Sequence, residues 1–411
     1  MTSQDAGTLW VLNPAGRQAS GLWIDDTLAE RVRERGLADK VTLAGRFPRQ
    51  RVEVVRAAEP EAEVNRLFYR RGWTDGLPIV PPTLGRVEEM LRCTPLPREQ
   101  VLGALDPLKG LATVEKVAVN AVMAGCRPEY LPAVIAAVEA VADPQFNLRG
   151  VQTTDENVTP LLILNGPAAA ALQVNAGFGA LGPGWQANAT LGRALRLVMN
   201  NLGGGWPGAV SFAGIGQPGR YTLCLAEQEG ASPWPPLHVE QGFAASASTV
   251  TVLRAETAVN VTGGLAELAS VMGSAASNFS ILHGGKVAVV LAPSAAQGLA
   301  REGWSKDDVR AHLHREGRLP AAVLERSWLF SSAYRREDWP AWVREAAAEG
   351  SVPAVRAPED ITVVVAGGDL PIAQNVYFPS WGFPPCRVAR ELRLPSDWEA
   401  VRARCAAAEG G

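Results

Sequence analysis

Three short runs, TPLLILNG (159–166), KVAVVLAP (286–293) and ITVVVAGG (361–368), constrain the fold more than any other feature of this chain. Each is continuously apolar and closed by Gly, Pro or Asn. A strand with no polar side is buried on both faces, as in a sheet covered by other layers. Helical patterns lie between these runs. In PEYLPAVIAAVEAVAD, Leu131, Val134, Ile135, Val138 and Val141 share one stripe. SKDDVRAHLHREG opens on Ser305 as a cap with Asp308 three residues on. Strands followed by helices predict an α/β fold with at least part of the sheet parallel, its strands at about 160–165, 286–292 and 361–366. The alternation over 115–200 returns after residue 249, which points to an internal αβ duplication without a fixed period.

A chain of 411 residues, 47% hydrophobic and 20% charged, has ample length for a sizeable core. The expected division is a small N-terminal segment, 1–58, packing on a main α/β domain, 59–411, with two lobes at 59–245 and 246–411. The segment should carry a polar helix in DDTLAERVRERG (25–36). A net charge of −3 supplies no global field for nucleic acid or an anionic membrane. No apolar run reaches the ~18 residues of a membrane span, and the first residues lack a signal-peptide pattern. Cysteines 93, 126, 224, 386 and 405 form no Cys-x-x-Cys pair, which fits reduced thiols in a cytoplasm.

Five stretches can carry chemistry. GWTDGLPIVPPT (72–83) is a proline-rich strap, expected to be extended, with Trp73 buried. Its Asp75 is either a general base or the cap of an Asp-Gly turn. TTDENVTP (153–160) places Asn157 among hydroxyls and carboxylates before a buried strand. GALGPGWQANATLGRALR (179–196) is a glycine loop opening a helix, where Asn188 and Arg193 can hold a small anionic group. It matches neither a phosphate-binding lysine loop nor a dinucleotide fingerprint. In SPWPPLHVEQGF (232–243), His238 and Glu240 face the same way if the backbone is extended. They then form an acid–base pair or, with His283 of ILHGGK, a divalent-metal site. AGGDLPIAQNVYFPSWGFPPCR (366–387) holds Cys386, a thiol that a neighbouring cation could activate or a packed core residue. Trp73, Trp185 and Trp234 stand beside these stretches and can wall a pocket.

GWTDGLPIVPPT, VAVNAVMAGCRPEYLPAVIAAVEA, GPGWQANATLGRALRLVMNNLGG, ASPWPPLHVEQGF and GWSKDDVRAHL together resemble a bacterial family associated with UGSC-motif (seleno)proteins, over roughly residues 60–390. The amino-terminal VLNPAG resembles the opening of a UGSC-type domain. The resemblance implies a Cys or selenocysteine followed by Gly-Ser-Cys, suited to thiol redox work, and this chain has no such motif. It also implies an acidic residue and a His after KVAVVLAP, where Ser294 and Ala295 stand instead. The expectation for function is a cytoplasmic enzyme of lyase or hydrolase type acting on an anionic small molecule. Its catalytic candidates are His238, Glu240, Asp75 and His283. Substrate contacts are expected from Trp73, Asn157, Trp185, Asn188, Arg193 and Trp234. The alternatives are a thiol-dependent oxidoreductase using Cys386 or Cys224 and a non-catalytic subunit with a UGSC-type partner protein. The chain would work as a homo-oligomer or in such a pair.

Overall fold

The computed structural model describes residues 7–15 and 51–409; the helix expected over 25–36 lies outside them. The first elements are β1 (Thr8–Leu12), antiparallel to β2 (Val52–Arg56), then α1 (Pro60–Arg70), the strap, and α2 (Leu84–Leu91). A hairpin of β3 (Val101–Leu105) and β4 (Gly110–Thr113) leads into α3 (Val114–Ala124) and α4 (Leu131–Ala142). Val11 and Leu12 of β1 are buried in the core formed by α3 and α4.

Next come β5 (Thr159–Asn165), α5 (Gln186–Val198), β6 (Cys224–Ala226), the single turn α6 (Leu237–Glu240) and β7 (Thr249–Ala255). They are followed by β8 (Val259–Thr262), α7 (Leu265–Met272), α8 (Asn278–His283), β9 (Val287–Leu291), α9 (Pro293–Arg301) and α10 (Lys306–Glu316). A small pair, β10 (Arg318–Pro320) with β11 (Ser351–Pro353), precedes β12 (Ile361–Val365), β13 (Gln374–Phe378), β14 (Val388–Glu391) and α11 (Trp398–Glu409). The three apolar runs are thus strands, every residue of each strand being buried. The fold is α/β.

Two four-stranded mixed sheets, in the orders β6-β5-β7-β14 and β12-β9-β13-β8, stack face to face. Side chains alternate along a strand. Leu161 and Ile163 of β5 therefore meet Ala288 and Val290 of β9 and Val364 of β12 between the sheets. Leu162 and Leu164 face α3, α4 and α5 on one outer side. Val287, Val289 and Leu291 face α7 and α10 on the other. The four layers explain why the strand sequences are apolar throughout: each sheet has a helix layer on one side and the other sheet on its second side.

The two sheets repeat one topology. In each, a central strand pairs parallel with the strand reached through a long helix, β5 with β6 through α5, and β9 with β12 through α10. The next strand, β7 or β13, pairs antiparallel with the central one. The fourth strand is exchanged: β8 follows β7 but joins the second sheet, and β14 follows β13 but joins the first. Both long helices begin just after Gly-Trp, at Gly184-Trp185 and Gly303-Trp304, and both central strands run into a helix opened by proline, Pro167 and Pro293. The first sheet draws two of its strands from each side of residue 245.

The strap is non-helical from Trp73 to Pro82, with Trp73 only 3% exposed. Side chains from other elements hold it. Asn65 accepts from Ile79 N (2.7 Å) and donates to Ile79 O (3.1 Å), and Asn201 Nδ2 donates to Trp73 O (3.0 Å). Thr83 then caps α2 by accepting from Arg86 N.

Candidate functional site

The carboxyl ends of parallel strands are where α/β folds usually place ligands. Here that position is filled by a buried charge network. Glu227, directly after β6, accepts from Asn165 Nδ2 and Leu237 N, each at 2.7 Å. Its other oxygen lies 3.3 Å from Lys306 Nζ, and the Glu227 and Lys306 side chains are 0% and 3% exposed. Lys306 Nζ also donates to Pro235 O (2.7 Å) and approaches Glu240, which pairs with Arg310 at 2.9 Å. Glu229 accepts from Gly166 N (2.6 Å) and Asn165 Nδ2 (3.0 Å), and lies 3.8 Å from His238 Nδ1.

His238 and Glu240 do not share a face. Pro236 occupies the cap position, and Leu237–Glu240 is a helical turn rather than an extended segment. At about 100° per residue, two positions apart on a helix point in nearly opposite directions. His238, 1% exposed, therefore turns toward Glu229 and Ala245 O, while Glu240 turns toward α10. His283 stands elsewhere, at the end of α8 against Phe279, Tyr334 and Phe383. Among the described residues no group of three or more His, Cys, Asp or Glu could hold a metal ion. The divalent-metal expectation for His238, Glu240 and His283 is therefore not met by this geometry.

Burial lowers the His283 pKa from the ordinary 6.5 to about 4. Between those values the unfolded chain binds a proton that the folded chain excludes. The neutral ring's contribution is thus intact above 6.5 and lost as pH falls toward 4. His283→Leu should flatten that part of the stability profile, read as urea midpoints across this range. An unchanged slope would show that His283 is not the group responsible.

The remaining polar candidates are mostly spent on structure. Asn188 accepts from Asn175 N (2.7 Å), and its amide nitrogen lies within hydrogen-bond distance of the carbonyls of Asn175, Ala180 and Cys224. Arg193 grips Asp75 at two points, 2.7 and 2.9 Å, and donates to Pro78 O. It pins the strap to α5 instead of waiting for a substrate. Trp73 packs edge-on against Phe68 in the core, Trp234 donates to Trp304 O (2.8 Å), and Trp185 stands half-exposed at the start of α5. The three tryptophans do not wall one pocket.

The thiols are poor nucleophiles by position. Burial raises the pKa of Cys386, offset in part by Arg254, and pushes Cys126 up to about 12. Burial likewise raises Cys93, Cys224 and Cys405.

An open site lies at the opposite end of the first sheet. A cavity of about 590 Å³ is lined by Asp75, Arg196, Asn200, Trp206, Gln217, Arg220, Tyr221 and a rim that includes Ile215. Arg196, 7% exposed in the last turn of α5, donates to Arg220 O (2.9 Å) and to Thr159 Oγ1 at the start of β5 (3.0 Å). Arg220 donates to Ser211 Oγ (3.0 Å). Among the described residues no carboxylate pairs with either guanidinium. Burial lowers the Arg196 pKa to about 9, with Arg220 adding to the shift, and burial lowers Arg220 too. Asp75 is the carboxylate on this wall, with its side chain 4% exposed and oriented by Arg193. Asn157 reaches the site indirectly: its carbonyl accepts from Gln217 Nε2 (2.6 Å). Gln217 also donates to the backbone of Glu256, whose carboxyl is pushed up to about 8 by burial and by Glu156.

A second cavity, of about 520 Å³, opens where β9 ends, beside Ser294 and Ala295. Its Asn375 is already satisfied by Ala292 N and Gly263 O, both at 2.9 Å.

Sequence reasoning chose Arg193 and passed over Arg196. The available signal was an arginine flanked by Leu195 and Leu197, on the side of α5 that turns inward. No family model matches the chain, and no curated protein matches it. Among the described residues no helix is long and apolar enough to cross a membrane.

Proposed function

We propose that this protein is a small-molecule enzyme of the lyase or hydrolase type whose substrate carries an anionic group, bound at Arg196 and Arg220. One observation carries the reading: two largely buried guanidiniums line a cavity of about 590 Å³, and among the described residues no carboxylate pairs with either. A buried cation is costly unless paired, and an anionic ligand supplies the missing partner through charge-assisted hydrogen bonds. Asp75, on the same wall, is the proton acceptor in this scheme, aimed by the two-point contact with Arg193. The buried thiols do not favour a thiol-dependent oxidoreductase.

Calorimetric titration with inorganic phosphate, phenyl phosphate and phenylacetate tests the binding half. At least one should bind, and Arg220→Met should weaken it by about tenfold or more. Asp75→Asn should keep the anion and lose turnover of any substrate found. Binding of none of the three anions, or binding indifferent to Arg220, would overturn the assignment.

A further inference from the structure

We infer that Cys93 and Cys405 form a reversible disulfide that clasps α11 to the end of α2, with a low-molecular-weight disulfide as the oxidant. The pair stands apart from the arginine cavity and does not depend on the reading of it.

The two cysteines are 312 positions apart in sequence, yet their sulfurs stand 3.8 Å from each other. Cys93 closes the end of α2, its amide donating to Met90 O (3.0 Å) and its thiol to Glu89 O (3.7 Å). Cys405 comes from α11. Cys93 is buried, whereas Cys405 is half-buried. One sulfur is therefore reachable from solvent, and the second is held beside it. That is the arrangement of an attacked thiol and a resolving one. A bond requires the sulfurs to close to about 2.05 Å, a movement that side-chain rotation at each cysteine and a small shift of α11 can supply. Neither cysteine lines either of the two cavities described above, which makes the pair a modification site and not a catalytic one.

The exchange runs in two steps. The Cys405 thiolate attacks one sulfur of the small disulfide, forms a mixed disulfide and releases one small thiol. The Cys93 thiolate then attacks the Cys405 sulfur and expels the second. The protein loses two electrons and two protons, and the small disulfide takes up both and leaves as two thiols. Burial keeps both cysteines protonated, so the exchange is slow and quickens as pH rises. Its effect falls on α11. Val401 is buried and Trp398 packs against the core, but Glu399, Ala400, Ala403 and Arg404 are exposed. Arg402 and Arg404 pair with Glu399 and Asp397, within α11 or just before it. A helix held by so few buried side chains opens more readily than the core. A bond between positions so distant in sequence strongly restricts the unfolded chain, and it ties that helix to α2.

Incubation of the reduced protein with oxidised glutathione at mildly alkaline pH tests this, read by thiol counting after denaturation and by peptide mapping without reductant. Two of the five thiols should disappear into an intramolecular crosslink between the Cys93 and Cys405 peptides. The thermal midpoint should rise by several degrees and fall back on treatment with dithiothreitol. Cys93→Ser should stop at the first step, with glutathione retained on Cys405. Cys405→Ser should leave its remaining thiols titratable and its midpoint unmoved by the oxidant; this substitution, at a half-buried position, keeps the comparison available if Cys93→Ser does not fold. Survival of all five thiols through prolonged incubation would overturn the inference. So would glutathione that stays on Cys405 of the unaltered protein without passing to Cys93, a crosslink to any other cysteine, or a Cys93–Cys405 crosslink that leaves the midpoint where it was.

Discussion

Lys306→Met is expected to destabilise the protein by about 3–5 kcal/mol, the usual cost of stripping the partner from a buried charge. Methionine keeps the length and apolar stem of lysine, so packing changes little. Glu227 would keep its bonds from Asn165 and Leu237 but lose the Lys306 cation, with its side chain wholly enclosed. Glu240 would still hold Arg310. Adding Glu227→Gln should recover part of the loss, because the amide needs no counter-charge. The two substitutions touch one interaction and should be far from additive. Urea midpoints at unchanged m-value give the comparison. A Lys306→Met cost under about 0.5 kcal/mol would mean that Glu227 does not depend on this lysine, and that the network is not what ties the end of β6 to α10.

Arg196→Met should do the opposite to stability and more to function. Replacing an unpaired buried charge by an apolar side chain of similar volume is often neutral or stabilising. Melting in the absence of ligand should therefore be unchanged or slightly raised. Anion affinity should fall by about tenfold to a hundredfold, the range for losing a charged hydrogen-bonding partner worth ~1.5–3 kcal/mol. Sites that keep a charge at the expense of stability are where function is held. A variant that both melts lower and binds anions normally would make Arg196 a structural residue, held by Arg220 O and Thr159 Oγ1 for the sake of the fold alone.

The two arginines on α5 show where sequence reasoning reached its limit. Arg193 and Arg196 are three residues apart on one helix, and the sequence pointed to Arg193. Tertiary contact separates them. The strap delivers Asp75 to Arg193, which neutralises it, while among the described residues Arg196 meets a carbonyl and a hydroxyl. The misplaced pair His238 and Glu240 has a local cause. The shared face of His238 and Glu240 held only for an extended chain, but proline is equally at home just before a helix, and the carboxylate of Glu227 holds Leu237 N at that turn.

Periodicity and punctuation alone determined the α/β class, the three buried strands, the cap at Ser305, and the non-helical strap with its buried Trp73. These follow from interactions within a few residues and from the apolar content of each run, both of which are written locally. What only the tertiary structure decided is how the strands divide into two stacked sheets with exchanged edges, and which polar residues are left without partners. Sheet membership depends on pairings between strands over a hundred residues apart, such as Val388–Glu391 with Thr249–Ala255. A site depends on what is missing around a side chain, and an absent counter-charge leaves no mark in the sequence until the fold has placed every other charge.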